Sequence, residues 1–352
     1  MEEYLKSIHS KIQEYFAILS PEGIPEFLVE YIKTPQMQKQ KNISTTCGTI
    51  YSKMFSNRFW NSSLEHSIGV ALIVWNFTKD KKQTIAGLFH DIATPVFKHT
   101  IDFMNGDYET QESTEELTRK MILDSKEIMA LLNRDGIKIE EVEDYHIYPI
   151  ADNNSPRLSS DRLGYTLLDG IGAVIEVWSL EEIREIYTNI EIQQNEEGIK
   201  ELGFKDKKIA EKFVKGMSQV SKVYVENRTL FSMQFLADIM KKMAEENLIC
   251  KDELYQLSEQ EVIKKIEQCQ IKSIVNNFEI WKNATKIKES EALVPNRYCV
   301  SIPKPKIRYI NPLVRQKNGF VRISEISEEA NQQIEEIKHL KNKKYAYLDF
   351  DF

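Results

Sequence analysis

The sequence predicts a mainly α-helical protein with a few short β-strands, and three observations carry that expectation. Apolar residues recur at helical spacing across most of the first 284 positions. Several of these runs open on capping residues, such as Ser62-Ser63 and Ser159-Ser160. Strand-like segments emerge only beyond Arg297. With 352 residues, 41% of them hydrophobic, the chain can bury a sizeable core without staples.

In order, residues 2–19 and 24–32 read as two opening helices separated by Pro21-Glu22-Gly23. A polar link leads to a largely buried helix over 62–78, then a second apolar helix over 81–92 that ends in His90-Asp91. Thr94-Pro95 has the form of an N-cap and first helical residue, which puts His99 and Asp102 three apart on one face. After the turn Asn105-Gly106-Asp107, the run Glu112–Glu116 leads into a helix through Leu117, Met121, Ile122 and Leu123. Residues 136–157 read as loop, and Ser159-Ser160 start a helix whose Asp161, Tyr165 and Asp169 share a face. Helices are expected at 179–192, 204–226, 228–248, 258–269 and 271–284. Short strands follow at 298–302, 307–310 and 320–323, then a helix after Ser324 and a docking strand or peptide from Tyr345 onward. The organisation expected is a core of residues 1–175, with residues 176–352 packed on it as one unit. That second part carries a basic short-strand segment at 297–323.

Composition removes several classes of function. Cys47, Cys250, Cys269 and Cys299 are widely spaced, which excludes a disulfide framework or zinc knuckle and suits a reducing, cytoplasmic setting. The longest apolar run is too short to span a bilayer, so no membrane partner is expected. A net charge of -7 provides no global field for nucleic acid. Locally, however, Arg297 to Arg322 contains no acidic residue, and it is available to a triphosphate, a regulatory nucleotide or, third in rank, single-stranded nucleic acid.

The residues that need a reason are the charged ones in apolar helical runs. His66, His90, Asp91 and Asp161, drawn from three helices, offer two imidazoles and two carboxylates to a divalent cation. That mixed set favours manganese, iron or magnesium over a closed zinc site. His99 with Asp102 forms an acid-base pair, the carboxylate fixing the imidazole's tautomer.

Glu65-His66-Ser67-Ile68-Gly69-Val70, Ala86-Gly87-Leu88-Phe89-His90-Asp91 and Asp161-Arg162-Leu163-Gly164-Tyr165 with Asp169 resemble the HD-domain phosphohydrolase superfamily. More narrowly, they are similar to the deoxynucleoside triphosphate triphosphohydrolases, which include bacterial dGTPases and the vertebrate SAM- and HD-domain restriction factor. The resemblance covers roughly residues 28–175 and implies an HD-domain helical bundle with a helical C-terminal extension. It implies that His66, His90, Asp91 and Asp161 hold the metal, that His99 and Asp102 are catalytic, and that Tyr165 and Asp169 line a sugar pocket. This chain departs from the family's pattern at three places. Ser63 stands where an arginine is usual, so phosphate contact falls to Arg58 or Arg162; Thr94 replaces a second catalytic histidine; and Gln111-Glu112 stand where many members have His-Glu, with Gln111 still expected at the substrate.

The resemblance implies a metal-dependent hydrolase that cleaves deoxynucleoside triphosphates to deoxynucleoside and inorganic triphosphate. Two alternatives stay open: cleavage of another cyclic or signalling nucleotide, and a nucleotide sensor that has lost turnover. It also implies a homo-oligomer with a nucleotide activator at a subunit interface.

Overall fold

Five helices converge on one cavity, and their placement explains the rest of the architecture. The computed structural model describes residues 1–111 and 117–350. It is 56% helical with a few short strands, as expected of a mainly α protein. The helix Ser63–Thr78 opens on a capping box in which Ser62 and Glu65 satisfy each other's backbone N–H groups. It is buried along nearly its whole length. The helix Lys81–Phe89, capped by Asp80, runs back against it. The helix Ser160–Gly170, capped by Ser159, packs across the first. The long helices Lys207–Val225 and Asn227–Glu245, separated by Glu226 alone, form the far side.

One apolar core runs from Ile12 through Leu167 to Phe213 and Ile334, crossing residue 175 without a break. Trp178 lies between two helices that approach closely because of glycine. A Cβ on Gly216 would stand 2.1 Å from the indole, and one on Gly170 would stand 2.4 Å from it. A second core gathers residues after Phe231 around Phe235 and Trp281, and takes in Phe55, Phe97 and Ile101 from the first part of the chain. All four cysteines are free, and no helix of the described residues is long and apolar enough to cross a membrane.

Several boundaries differ from the sequence reading, each for a physical reason. The opening helix breaks at Ile8-His9, where His9 stacks on Phe59 with ring centroids 4.1 Å apart. The helix expected over 179–192 ends at Thr188. Ile190–Gln194 instead pairs antiparallel with Lys200–Phe204 as a hairpin, joined in parallel by Leu313–Gln316 and then antiparallel by Gly319–Arg322. Residues 307–310 are not a strand; the strand lies beyond Pro312. The expected docking strand is present as Tyr345–Tyr347, between Lys288–Ser290 and Cys299–Val300. The lead-in Glu112–Glu116 lies outside the described residues, and the helix after it spans Thr118–Asp124.

The most consequential difference concerns Thr94-Pro95, which do not start a helix. The helix begins at His99, because Phe97 and Lys98 take left-handed φ values of 61° and 42°. Tertiary bonds hold that turn: Val96 N–H donates to the Leu254 carbonyl at 2.9 Å, and Phe97 N–H donates to Glu259 Oε1 at 3.3 Å. Glu259 also accepts from Ser44 N–H at 3.0 Å and is fully buried. Burial pushes its carboxyl up to about 8. Folding therefore favours the protonated acid, so this residue's contribution to stability is present at acid pH and is lost as pH rises through 8. The advantage of Glu259→Gln over wild type in thermal midpoint should grow between pH 5 and pH 8; a gap that is constant across that range contradicts the assignment.

Candidate metal centre and substrate cavity

His66 sits in the first turn of its helix, and His90 follows the last residue of the next one, where the Lys81–Phe89 helix ends rather than continuing to 92. Asp161 lies in the first turn of the Ser160–Gly170 helix. The three donor atoms lie within 4.8 Å of one another. His66 Nε2 is 3.1 Å from His90 Nε2 and 3.0 Å from Asp161 Oδ1, and His90 Nε2 is 3.6 Å from the same oxygen. His90 Nδ1 is 2.8 Å from the Gly87 carbonyl. A carbonyl only accepts, so Nδ1 carries the hydrogen and the neutral ring presents the Nε2 lone pair to the cluster. Two imidazole nitrogens and a carboxylate oxygen facing one point fit a divalent cation. Burial pushes the Asp161 carboxyl up, but the hydrogen bond from His66 and the electrostatic attraction of the two imidazoles outweigh it and hold it below the usual carboxylate range.

The fourth predicted ligand, Asp91, adjoins the cluster without joining it. Its Oδ2 is 3.7 Å from His90 Nε2 but 2.5 Å from Lys98 Nζ, with Ser63 Oγ at 3.3 Å. Oδ1 has no hydrogen-bond partner among the described residues. Despite burial, the Lys98 ammonium and the two histidines keep this carboxyl well below its ordinary value. Sequence reasoning missed Lys98. The left-handed turn at 97–98 aims it inward, and nothing in the local pattern signals that turn.

The cluster opens into a cavity of about 360 Å³ whose walls include every predicted site residue except Asp102. Asp102 is buried behind His99, accepting from its Nδ1 at 2.9 Å. This fixes the tautomer, so His99 Nε2 faces the cavity and lies 3.4 Å from Arg308 Nη2. Burial pulls the His99 imidazole down, opposed by its bond to Asp102 and reinforced by the Arg308 charge. Arg308, from the acid-free segment, also donates to Gln111 Oε1 at 2.6 Å.

Arg58 donates to Thr49 Oγ1 at 2.8 Å and stacks on Phe55, but its Nη2 is buried and has no hydrogen-bond partner among the described residues. Burial, with Arg228 nearby, lowers its pKa to about 10. Arg162 also lines the cavity, but Asp152, Asn153 and Ser159 already hold its guanidinium. Tyr165 and Asp169 lie farther along the wall, and Tyr224, which the sequence reading did not single out, donates to Asp169 Oδ2 at 2.5 Å. Thus one cavity wall brings together the His66, His90 and Asp161 cluster, the basic residues Arg58, Lys98 and Arg308, and the Tyr165, Asp169 and Tyr224 group.

Residues 63–165 of the protein match the family model of the HD domain. Over almost the whole chain it is similar to the uncharacterized protein YdhJ of Bacillus subtilis (strain 168), at 24% identity over 328 residues, 91% of this chain and 94% of that one. The metal-dependent phosphohydrolase cns2 of Cordyceps militaris is 28% identical over 108 residues, 31% of each chain. Two solved structures share the fold, each with a TM-score of 0.63. A hypothetical protein from Aquifex aeolicus has 17% identity and covers 93% of both chains. A phosphohydrolase from Bacteroides thetaiotaomicron has 13% identity and covers 94% of this chain and 97% of that one.

Proposed function

We propose that the protein is a divalent-metal-dependent phosphohydrolase acting on nucleotides, and that it splits deoxynucleoside triphosphates into deoxynucleoside and inorganic triphosphate. One observation carries the phosphate part of this reading: Arg58 holds a buried, unpartnered N–H in the cavity that also contains His66, His90 and Asp161. A buried donor without a partner costs about 1–3 kcal/mol, more when charged, and a phosphate oxygen would satisfy it. The printed names of cns2 and of the Bacteroides structure support the hydrolase class.

His66, His90 and Asp161 would hold the cation, with Asp91 Oδ1 as the available fourth donor. The bound ion supplies Lewis acidity for water activation and for charge developing at phosphorus. The chain's residues do the rest. Arg58, Lys98 and Arg308 neutralise phosphate oxygens, and Arg308 holds the phosphate chain against His99. His99 Nε2 takes or returns the proton, with Asp102 keeping the ring oriented. Tyr165 packs on the sugar, and Asp169, oriented by Tyr224, accepts its hydroxyl.

Purified protein incubated with manganese, magnesium or cobalt and a panel of nucleotides should release inorganic triphosphate and deoxynucleoside. Monophosphate with pyrophosphate would overturn the triphosphohydrolase reading in favour of another phosphate-ester cleavage, and binding without turnover under every metal would favour a sensor. Arg58→Ala should raise KM by roughly tenfold, the scale of one charge-assisted contact. An unchanged KM contradicts its phosphate role.

A further inference from the structure

A second cavity, of about 580 Å³, stands behind the wall of the first. It lies between residues 301–307 and the loop that follows the helix Glu328–Lys338. Pro305 and Ile307 line both cavities. Its lining carries Lys304, Lys338, Lys341, Lys343 and Lys344 against the single carboxylate of Glu109. This concentration of positive charge is opposite in sign to the chain's net charge of -7.

Some surface lysines of this protein pair with carboxylates: Lys212 with Glu185 at 2.6 Å, Lys265 with Glu253 at 2.8 Å, Lys282 with Glu267 at 2.6 Å. Here Lys338 pairs with Glu335, but among the described residues no carboxylate pairs with Lys304, Lys341, Lys343 or Lys344. Lys344 Nζ lies 5.3 Å from the centroid of the Tyr345 ring and Lys338 Nζ 5.6 Å from that of Tyr309, but rings do not neutralise charge, and a cavity wall of lysines facing one carboxylate gains from an anion that bridges them. The backbone frame is held in place. Asn342 donates to the Val225 carbonyl, Asn227 donates to the Lys343 carbonyl at 3.0 Å, and Lys306 N–H donates to the Tyr108 carbonyl at 3.0 Å. Among the described residues no aromatic ring lines the cavity, so none of them stacks on a base there.

We infer that this basic cavity binds an oligophosphate chain, recognised by its charge and not by a base. A free inorganic triphosphate and the triphosphate tail of a nucleotide share that chemistry. The inference does not depend on which reaction the first cavity performs.

The test is calorimetric titration of the full chain, in chelator, with inorganic triphosphate, dATP and orthophosphate. Inorganic triphosphate should bind, and the double variant Lys341→Glu/Lys343→Glu should weaken it about a hundredfold or more, roughly the loss of two charged contacts. Arg58→Ala should leave that component intact. If dATP binds and responds to the lysine variant in the same way, the tail alone suffices; if only inorganic triphosphate does, the ligand is the free chain. An affinity unchanged in the lysine variant, or lost equally in Arg58→Ala, overturns the inference. So does orthophosphate that binds as tightly as inorganic triphosphate, since a chain of phosphates is then not what is recognised.

Discussion

Asp161→Ala should abolish both metal binding and hydrolysis while leaving the protein folded. Asp161 supplies the oxygen that both histidines face, at 3.0 and 3.6 Å, and without it two imidazole nitrogens 3.1 Å apart are left as a poor cation site. The carboxylate is partly exposed at the cavity wall, so its loss creates no void in the apolar core. Elemental analysis of the purified variant should show no stoichiometric manganese, iron or magnesium. Turnover should fall by orders of magnitude, because activation of water at neutral pH rests on the ion. Asp91→Ala should act in the same direction with a second cost, since it leaves the Lys98 ammonium buried without its partner. Retained metal content in Asp161→Ala would remove this residue from the ligand set.

His99→Ala should lower kcat by about 10²–10⁴, the usual worth of a positioned acid-base group, with metal content unchanged. The two outcomes separate the roles: one variant loses the ion, the other keeps it and loses the proton transfer. The pH profile adds a check. Burial lowers the His99 pKa, so the neutral imidazole persists to more acidic pH than an exposed one, whose ordinary value is about 6.5. Activity that needs the free Nε2 lone pair should therefore fall only as pH drops below that ordinary value. The acidic limb should disappear in the variant. Asp102→Asn should reduce kcat while leaving KM nearly unaltered, since Asp102 orients the ring and lies outside the cavity wall. Full activity in His99→Ala would exclude the residue from the mechanism.

How far these residues were legible depended on whether their chemistry is local or tertiary. His66, His90 and Asp161 could be collected from the sequence because each is a charged or imidazole side chain inside an apolar helical run. The pair His99 and Asp102 followed from three-residue spacing alone, and it forms although the helix starts at His99 and not at Pro95. Lys98 could not be read in the same way. Its inward aim depends on left-handed backbone at Phe97 and Lys98, which is held by Leu254 and Glu259 from a distant part of the chain. Arg308 stood in a segment marked as basic, but its contacts with His99 and Gln111 need an irregular path where a strand was expected. Tyr224 looks like one more apolar position on an amphipathic helix until the packing brings it to Asp169. The Ile190–Phe204 hairpin was missed because the alternation Ile190-Glu191-Ile192-Gln193 is too short to mark a change of period where it directly follows the helix ending at Thr188.

The most direct test of the account is a titration of metal-stripped protein with manganese, following nucleotide hydrolysis and bound metal together. Hydrolysis should be absent in the stripped protein, rise in proportion to occupancy and saturate at one ion per HD domain, with neither signal in His66→Ala. Undiminished hydrolysis after exhaustive chelation, or normal metal uptake and turnover in His66→Ala, would contradict a metal-dependent reaction at His66, His90 and Asp161.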